Sequence, residues 1–555
     1  MPNLTGRQAL AEMLIAEGVE YIFGNPGTTE SPLLDVLQEY NQLKYIVALQ
    51  EGTAVGMADA YARVTGKPSF ANLHIAGGLA NGVSALYNSY HGGAPVILTA
   101  GQSDTRALIT EPFLSGNLVE MVKQYTKWSA EITHAGDVPI AIRRAFKEAK
   151  TPPTGPVFLS FPWNSMDEKA EMDIVPSSPL YSQIRPDTKA VDKASSILAG
   201  AKNPFLLLGD RVARANAIPE AVRLAEIIGA QVYSVGQSEL TFPTGHSQFV
   251  GTLNVTSLSI ADQLAKADVI LAIGTNVFSS IFYMSDPAIS KKTKLIHLDN
   301  NPKEIEKIYP TEIGMLADPK AGMEALSEAL EIDMSGSAKE AAKNRVSILT
   351  EQRQKSKEAF KAKVLKNWDN NPISLERMMT ELADVMPQNA ILADESVTSR
   401  PTFLNAREFN EPGTFFRNAG GALGWGVPGA LGVQMARPNR PVLGMLGDGS
   451  SMYTIQALWT AAKYNIPVKY VVCNNGTYKI LKLNMDLYLK KMRGDEERLS
   501  QYVGMDFGDR IKIAQIAEGM GVEARTVEKP AELRGAFEWA FSQQKPTLID
   551  VSIAS

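Results

Sequence analysis

Two short polar motifs follow apolar, strand-like runs in the last third of the chain. Residues 442–446 lead into Gly447-Asp448-Gly449-Ser450, and residues 468–473 lead into Asn474-Asn475-Gly476-Thr477. Glycine allows the backbone to turn tightly, and ligands of open α/β sheets bind at the carboxyl ends of the strands. The pattern therefore predicts that the two motifs lie side by side at one edge of a sheet.

The oxygen atoms of these motifs suit a hard metal ion. The carboxylate of Asp448, the amide oxygen of Asn475 and a backbone carbonyl near Thr477 make an all-oxygen set, which Mg²⁺ prefers. Diphosphate oxygens complete the octahedron. Gly-Asp-Gly alone is usually a simple turn, but its combination with the second motif is far more specific. We therefore predict a site for magnesium and a diphosphate.

The same motifs resemble those of a known enzyme family. Gly-Asp-Gly, 24 intervening residues and Asn-Asn are similar to the diphosphate-anchoring signature of thiamin-diphosphate-dependent enzymes. The resemblance extends over essentially the whole chain, to the decarboxylase and acetohydroxyacid-synthase branch, and is strongest to the benzoylformate decarboxylases. It rests on residues 23–28, 48–51, 73–74 and 457–467. It implies pyrimidine-binding, middle and diphosphate-binding domains in that order.

Glu51 follows an apolar strand at the start of a predicted helix. A carboxylate there would ordinarily stabilise the helix through its dipole. The resemblance implies a catalytic role instead, because the matching glutamate hydrogen-bonds N1′ of the aminopyrimidine and favours the imino tautomer. N4′ of that tautomer takes the proton from C2 of the thiazolium. The resulting carbanion is the nucleophile, and the thiazolium later serves as an electron sink.

The resemblance implies further contacts to the cofactor. Leu423, which by itself would be a core leucine in a glycine-rich turn, becomes the bulky residue that forces the cofactor into its bent conformation. The carbonyl of Gly421 accepts from N4′. Ser396 and Thr398 help to hold the diphosphate, although capping of the next helix would also explain them. The other implied cofactor contacts are Gly449, Ser450 and Tyr478.

Two residues are implied on the substrate side. His74 stands at a strand end, where a histidine is often structural. Its match to a family active-site histidine makes it a proton donor or acceptor, or a binder of the substrate carboxylate. Thr28 takes the place of a family serine, so its hydroxyl can still bind substrate while its methyl group narrows the pocket.

The chain departs from the benzoylformate decarboxylase pattern at two places. That pattern has a second active-site histidine shortly after Val277-Phe278, where this chain continues with Ser279-Ser280-Ile281. Beyond Tyr478, basic residues stand where an aromatic wall is expected. A solvated helix face is the usual origin of such a cluster, and the alternative is recognition of a polar or anionic substrate tail. The basic residues are Lys479, Lys482, Lys490, Lys491 and Arg493.

The rest of the chain must position these residues. Short apolar runs alternate with amphipathic stretches, which is typical of parallel α/β layering. Together with the resemblance, this predicts three doubly wound parallel-sheet domains. The predicted segments are 1–180 (pyrimidine-binding domain), 186–335 (middle domain), 336–371 (a charged, solvated linker helix) and 372–555 (diphosphate-binding domain).

The first and last of these domains share a spacing. Ala85-Leu86 is followed after eight residues by Pro95-Val96, and Ala457-Leu458 is followed after eight residues by Pro467-Val468. An α/β unit that is used twice explains such matches. We therefore expect the first and last domains to have the same fold.

Composition limits the partners. Lys and Arg number 55 against 60 Asp and Glu, a formal net charge of −5, so no basic excess exists to hold a nucleic-acid backbone. Cys473 is the only cysteine, which excludes an intrachain disulfide and favours a cytoplasmic setting. The first residues lack a signal-peptide pattern. Six glycines and Pro428 interrupt the charge-free stretch 419–436, so we expect a buried glycine loop and a core helix there, and no membrane span.

These observations predict a carbon–carbon lyase that uses thiamin diphosphate and Mg²⁺. We expect decarboxylation of a 2-oxo acid, with carboligation of aldehydes as a second activity. The resembled family builds each site from two chains, so we expect at least a homodimer, and a homotetramer. The alternatives are an acetohydroxyacid-synthase-like carboligase, a 2-hydroxyacyl-CoA lyase whose basic cluster binds phosphate, and a catalytically silent relative. Intact Glu51, Asp448 and Asn475 argue against the silent relative.

Overall fold

The computed structural model describes residues 2–253, 260–278, 287–495, 497–498 and 500–554. Its strands form three six-stranded parallel sheets and a two-stranded antiparallel pair. The predicted parallel α/β class is therefore confirmed. Within those ranges, no helix is both long enough and apolar enough to cross a membrane.

Residues 3–171 form the first sheet and its helices. The elements are β1 (Asn3–Thr5), α1 (Gly6–Ala16), β2 (Tyr21–Asn25), α2 (Ser31–Val36), β3 (Lys44–Val47), α3 (Glu51–Thr65), β4 (Ser69–Leu73), α4 (Ile75–Gly92), β5 (Val96–Gln102), α5 (Leu118–Val122), β6 (Ser129–Glu131), α6 (Val138–Lys150), β7 (Val157–Pro162), α7 (Trp163–Asp167) and β8 (Lys169–Glu171). The sheet order is β3-β2-β4-β5-β7-β6, and β1 pairs separately with β8.

The described residues from 188 to 366 form the second sheet and its helices. The elements are α8 (Thr188–Ala199), β9 (Pro204–Leu208), α9 (Asp210–Arg214), α10 (Ile218–Ile228), β10 (Gln231–Val235), β11 (Phe249–Leu253), α11 (Ile260–Leu264), β12 (Val269–Ile273), β13 (Lys294–Asp299), β14 (Ile313–Leu316), α12 (Pro319–Asp333) and α13 (Gly336–Lys366). The order β11-β10-β9-β12-β13-β14 is that of dinucleotide-binding folds.

The third sheet and its helices lie between residues 375 and 552. The elements are α14 (Leu375–Val385), β15 (Ile391–Glu395), α15 (Arg400–Ala406), β16 (Phe415–Arg417), α16 (Gly426–Ala436), β17 (Val442–Gly447), α17 (Asp448–Ser451), α18 (Ala457–Lys463), β18 (Lys469–Asn474), α19 (Lys479–Leu487), α20 (Ile513–Gly519), β19 (Glu523–Val527), α21 (Leu533–Ser542) and β20 (Thr547–Ser552). The sheet order is β16-β15-β17-β18-β20-β19.

The first and third sheets have the same topology. When the six strands of each sheet are numbered from 1 to 6 in chain order, both sheets have the spatial order 2-1-3-4-6-5. The expectation of a repeated α/β unit is confirmed at this level. Because parallel strands end at the same edge, both sheets present their loops in corresponding places.

The central strands β4 and β5 of the first sheet are buried on both sides. In β4 and β5, Phe70 and Ile97 belong to one buried cluster, while Ala71 and Leu98 belong to another on the opposite face. Helices therefore cover both faces of the sheet, as a doubly wound fold requires. The second sheet shows the same alternation between two clusters along β9.

The chain divides into two compact units. Unit 1 contains residues 1–180, 366–406 and 416–555, and so joins the first and third sheets; unit 2 contains residues 181–365 and 407–415. The predicted linker helix is α13, a 31-residue helix with three buried residues. Within unit 2, Arg345 of α13 donates to the carbonyl oxygens of Ile228 and Gly229 and so fixes this helix to the end of α10. The four-segment division stays a prediction.

Candidate active site

The Gly-Asp-Gly motif and the Asn-Asn motif meet at one edge of the third sheet. β17 and β18 are parallel neighbours, with Gly447 opposite Cys473 at their carboxyl ends. Asp448 is buried at the start of α17. Its Oδ1 accepts from the N–H of Gly449 at 2.8 Å, and its Oδ2 accepts from the N–H of Gly476 at 2.7 Å. The second motif thus lies directly against the first, as the pattern predicts.

Asn475 and Thr477 are buried beside Asp448. The N–H of Thr477 donates to Oδ1 of Asn475 at 3.0 Å, and its hydroxyl donates to the carbonyl of Met505 at 2.7 Å. Burial raises the pKa of Asp448, while its partners above are backbone N–H groups without a full charge. A buried carboxylate held in this way suits a bound cation, so these residues fit Mg²⁺.

The chemistry of this donor set is unusual for a protein-only metal site. Over the described ranges, no group of three or more His, Cys, Asp or Glu side chains could hold a metal ion. The predicted set contains one carboxylate, one amide and one backbone carbonyl. Mg²⁺ on so few protein ligands completes its octahedron with water and with oxygens of a bound molecule, and phosphate oxygens suit that role.

An aromatic side chain closes over the Gly-Asp-Gly turn. A Cβ at Gly449 would lie 2.5 Å from the ring of Tyr478, so only glycine fits there. The Tyr478 ring packs edge-to-face on Phe507, with centroids 4.7 Å apart. Ser450 accepts from the N–H of Gly447 at 3.1 Å and donates to the carbonyl of Glu395 at 2.9 Å, which joins this turn to the end of β15.

Ser396 and Thr398 lie just beyond β15. The hydroxyl of Ser396 donates to Oδ1 of Asp394 at 2.6 Å, so its single proton is already engaged within the protein. Thr398 is half-buried. Between them, Val397 has φ +51°, a left-handed conformation that is strained for a β-branched residue. Such strain is concentrated at functional loops.

The glycine-rich loop of residues 418–425 connects β16 to α16. Gly421 is exposed and has φ +89°, and Leu423 is half-buried. The N–H groups of Gly424 and Gly426 donate to the buried carboxylate of Glu395. The expected core helix is confirmed, with nine of the eleven residues of α16 buried, but the expectation of a buried loop is wrong, because only Gly424 and Trp425 of residues 418–425 are buried.

Glu51 is buried at the first position of α3. Its Oε1 accepts from Nδ2 of Asn25 at 3.0 Å, and its Oε2 accepts from Nδ2 of Asn81 at 3.1 Å. The helix is capped by Gln50, whose side chain accepts from the N–H of Thr53 at 3.0 Å. Glu51 lies in the first turn, where its charge favours the helix dipole, but its hydrogen bonds go to two side chains outside α3.

His74 is held by a buried carboxylate that the sequence analysis missed. Its Nδ1 lies 2.8 Å from Oε2 of Glu30 and 3.1 Å from the hydroxyl of Thr29. Glu30 also accepts from the N–H groups of Gly27 and Gly101, at 2.8 and 2.9 Å. An ionised carboxylate can only accept hydrogen bonds, so the contact with Glu30 requires a proton on Nδ1 of His74. This leaves Nε2 for another partner.

The residues on either side of this pair are informative. Thr28 is exposed, and its neighbour Thr29 makes the contact with the His74 ring. Ile75, which follows His74, is buried with φ +33°, a second strained β-branched residue at a predicted site. The expected position of a second histidine, Ser279 to Ile281, lies outside the described residues.

The basic residues beyond Tyr478 lie on α19 and in the segment after it, and they are exposed or half-buried, which both explanations of the cluster allow. None of the residues of α19 is buried. Lys482 forms an ion pair with Asp506 and lies over the ring of Tyr502, 5.3 Å from its centroid. Exposed apolar residues share this helix, among them Leu481 and Leu483.

Within unit 1, α3 and α16 pack against each other. A Cβ at Gly432 would lie 2.3 Å from the Met57 carbonyl, and Trp425 donates its indole N–H to Oδ2 of Asp59 at 2.7 Å. Asp59 lies eight residues after Glu51, or about 12 Å along the helix. The chain's own Glu51 therefore lies about 12 Å along α3 from the point where the Leu423 loop touches that helix.

The residues missed by sequence reasoning share one property. Asn25, Asn81, Glu30 and Glu395 act through partners that are distant in sequence or through backbone amides. Glu30 had a weak local signal, because it stands three residues after Gly27 at the start of a helical segment. Asn25 lies in the 23–28 motif but was given no role, and Asn81 and Glu395 had no local signal, since an isolated Asn or Glu is ordinary surface composition.

The whole chain matches known proteins. The N-terminal, central and C-terminal thiamine pyrophosphate enzyme domains match residues 4–120, 191–326 and 399–551. Benzoylformate decarboxylase from Pseudomonas aeruginosa is 32% identical over 99% of this chain and 98% of its own length. A probable acetolactate synthase large subunit from Methanococcus aeolicus is 25% identical over 99% and 92%. The solved thiamine diphosphate-dependent 4-hydroxybenzoylformate decarboxylase of Rhodococcus jostii RHA1 has a TM-score of 0.84 at 29% identity, with 99% of both chains covered.

Proposed function

The chain belongs to the thiamine pyrophosphate enzyme family, and from this premise we propose that it decarboxylates a 2-oxo acid, with carboligation of aldehydes as a second activity. The observation that carries the proposal is the 32% identity to a benzoylformate decarboxylase over the full length. The paired His74 and Glu30 at the edge of the first sheet support the same class of reaction, because decarboxylation needs a proton source for the product.

The residues at the edge of the third sheet fit the diphosphate end of the cofactor. In this proposal Asp448, Asn475 and the Thr477 carbonyl hold Mg²⁺, while Tyr478 covers the turn at Gly449. Thr398 faces the diphosphate, and Ser396 acts through its hydrogen bond to Asp394. Gly421 and Leu423 contact the aminopyrimidine and bend the cofactor. When bound, thiamin diphosphate supplies a nucleophilic carbon and an electron sink.

Glu51 holds a proton at N1′ of the pyrimidine. From the described part of the chain, the buried carboxylate receives one amide hydrogen bond on each oxygen. Each oxygen therefore keeps capacity for a further donor, and a charge-assisted bond to a protonated ring nitrogen is about twice as strong as a neutral one. Asn25 and Asn81 fix the orientation of the carboxylate.

His74 exchanges a proton with the substrate. Glu30 fixes its tautomer, so that Nε2 is free to accept or donate. The His74 side chain is 23% exposed, whereas that of Glu30 is 1% exposed. The histidine thus reaches the solvent-accessible side of the edge while its partner stays within the protein.

We propose that the active unit is at least a dimer. One pyrimidine ring must contact both Glu51 and Gly421, but within one chain the Leu423 loop touches α3 about 12 Å from Glu51. A second chain supplies the missing half. Leu49, just before Glu51, is 49% exposed, which leaves apolar surface for a partner. A tetramer would pair two such dimers.

A second candidate is an acetolactate-synthase-like carboligase. Full-length similarity to acetolactate synthase large subunits, at 25 to 26% identity, favours it. The 2-hydroxyacyl-CoA lyase alternative stays open: Lys482 of the basic cluster pairs with Asp506, whereas Lys490, Lys491 and Arg493 are exposed.

Product analysis separates these candidates. The protein is supplied with thiamin diphosphate and Mg²⁺ and with aromatic or short aliphatic 2-oxo acids, each with and without added aldehyde. We expect carbon dioxide and the free aldehyde from at least one 2-oxo acid alone. Hydroxyketone or acetohydroxyacid as the main product would favour the carboligase, and no turnover of any 2-oxo acid would contradict the proposal.

A further inference from the structure

The loop of residues 418–425 belongs to no helix or strand, so no regular hydrogen-bond pattern holds its backbone. It lies between a strand and a helix, and both Gly421 and Gly424 have left-handed φ angles, +89° and +104°. A Cβ at Gly424 would lie 2.8 Å from the side chain of Tyr453, so the backbone passes close to its surroundings. Side chains must therefore determine the path of this loop.

Glu395, at the end of β15, supplies the contacts to the backbone N–H groups at the carboxyl end of the loop. Its two carboxylate oxygens accept from the N–H of Gly424 at 3.1 Å, of Trp425 at 3.0 Å and of Gly426 at 3.0 Å. They also accept from Nδ2 of Asn418 at 3.1 Å. All four partners are N–H donors, and the carboxylate is fully enclosed by them.

Asn418 and Asn88 hold the other end of the loop. Asn418 accepts from the N–H of Gly421 at 2.8 Å and donates to the carbonyl of Ala422. Asn88, from α4 of the first sheet, donates to the same carbonyl at 2.8 Å and accepts from the N–H of Ala422 at 3.1 Å. Asn418 thus connects Glu395 directly to the residue whose carbonyl is predicted to accept from the cofactor.

We propose that Glu395 is a positioning residue that sets the backbone of the 418–425 loop and thereby aims the Gly421 carbonyl and the Leu423 side chain at the aminopyrimidine. This inference rests on the proposed function of those two residues. A simple helix cap needs one oxygen from a neighbouring residue, whereas Glu395 lies 31 residues before Gly426 and uses both oxygens. Its own carbonyl also accepts from Ser450, so the loop is fixed relative to the Gly-Asp-Gly turn.

Glutamine cannot replace this glutamate. It has one acceptor oxygen, and its NH₂ group would face N–H donors. Glu395→Gln should therefore loosen the loop, although the side chain has the same shape. The matched control is Glu381→Gln, since Glu381 is equally buried in unit 1 but pairs with Arg377 on α14.

Two measurements test the proposal. The first is amide hydrogen–deuterium exchange of residues 420–426 in the cofactor-free protein, followed by mass spectrometry. The second is hydrogen–deuterium exchange at C2 of thiamin diphosphate bound at saturation with Mg²⁺. Both are made above pH 7, where Glu395 is ionised. In Glu395→Gln, loop exchange should rise and C2 exchange should fall, each by about tenfold or more, because bonds to charged groups are lost. Glu381→Gln should change neither by more than about twofold.

A second variant keeps the test decisive if Glu395→Gln does not fold. Asn418 is half-buried, and Asn418→Ala removes the connection to Gly421 and Ala422, so it should produce the same pair of changes. Normal loop protection in the folded variants would overturn the proposal, and so would wild-type C2 exchange with a loosened loop. Failure of the proposed function would appear separately, as absent C2 exchange in the wild-type protein.

Discussion

The carboxyl edges of the first and third sheets share a strand order but satisfy their polar side chains differently. At the first edge, Glu51 and His74 are oriented by other side chains. At the third edge, Asp448 and Glu395 accept mainly from backbone N–H groups of the loops beside them.

The difference indicates a division of labour. Glu51 and His74 are fixed by other side chains, and each keeps a lone pair or a ring nitrogen for a ligand. A carboxylate that is surrounded by backbone amides fixes the backbone and any cation beside it. The first edge is therefore suited to proton transfer and the third edge to anchoring, although both derive from the same α/β unit.

The largest expected effect belongs to the anchoring edge. Asp448→Ala removes the one carboxylate of the predicted metal site, so Mg²⁺ and thiamin diphosphate should be lost together. We expect no measurable turnover and a cofactor affinity at least about 100-fold lower by calorimetry, since even outer residues of metal sites cost 10- to 100-fold. Asp384→Ala, an exposed aspartate on α14, is the control. Normal cofactor affinity in Asp448→Ala would contradict the assignment.

The next effect belongs to the proton-transfer edge. Glu51→Gln keeps the shape of the side chain but cannot exchange a proton with N1′. C2 exchange and turnover should fall by about 10²- to 10⁴-fold, with little change in cofactor affinity because the diphosphate anchor is elsewhere. Glu20→Gln serves as the control on an exposed residue of the same unit. Wild-type rates would show that Glu51 has no catalytic role.

His74→Ala separates the role of His74 on the substrate from the role of Glu51 on the cofactor. Turnover should fall by about 10²-fold, while C2 exchange on the bound cofactor should stay fast, because His74 acts on the substrate. His134→Ala, whose side chain is 72% exposed, should leave both unchanged. Slow C2 exchange in His74→Ala would assign the histidine to the cofactor instead.

The smallest effect concerns stability and pH. Burial raises the pKa of Glu395 to about 7, and its four N–H donors oppose that rise. The folded protein therefore holds a proton that the unfolded chain has released above pH 4.5. The contribution of Glu395 to the free energy of unfolding should fall as pH rises from about 5 to 7, by up to about 1.4 kcal/mol per pH unit, and level off above 7.

Urea unfolding of the cofactor-free protein measures this dependence. The difference in unfolding free energy between wild type and Glu395→Gln should decrease between pH 5 and 7 and then become constant. A difference that does not vary with pH would mean that Glu395 is ionised throughout that range.

Much of the fold was predictable because its strands are short apolar runs. The strand-like runs 442–446 and 468–473 lie in β17 (Val442–Gly447) and β18 (Lys469–Asn474). The meeting of Asp448 with the Asn475 segment was also predictable, because parallel neighbouring strands end at one edge. These features depend on local patterns that the parallel sheet then combines.

The supporting residues were not predictable for a physical reason. Glu395 has its role only because α16 begins where β15 ends, and Asn88 only because α4 meets the 418–425 loop. Neither residue has a local pattern that distinguishes it from surface polar residues. The hydroxyl that contacts His74 belongs to Thr29 and not to Thr28. This depends on the geometry of the turn, which no sequence pattern indicates.

Hybrid dimers test most directly whether the two edges act together across chains. Glu51→Gln and Asp448→Ala chains, each with a different affinity tag, are co-expressed, and the doubly tagged species is isolated. One of its two sites would combine the intact Glu51 of one chain with the intact Asp448 of the other, and the second site would carry both substitutions. We predict about half of the wild-type turnover per dimer for the hybrid, and severe loss for each parent variant alone. A hybrid as inactive as its parents would contradict the account, because it would mean that both edges of a site come from a single chain.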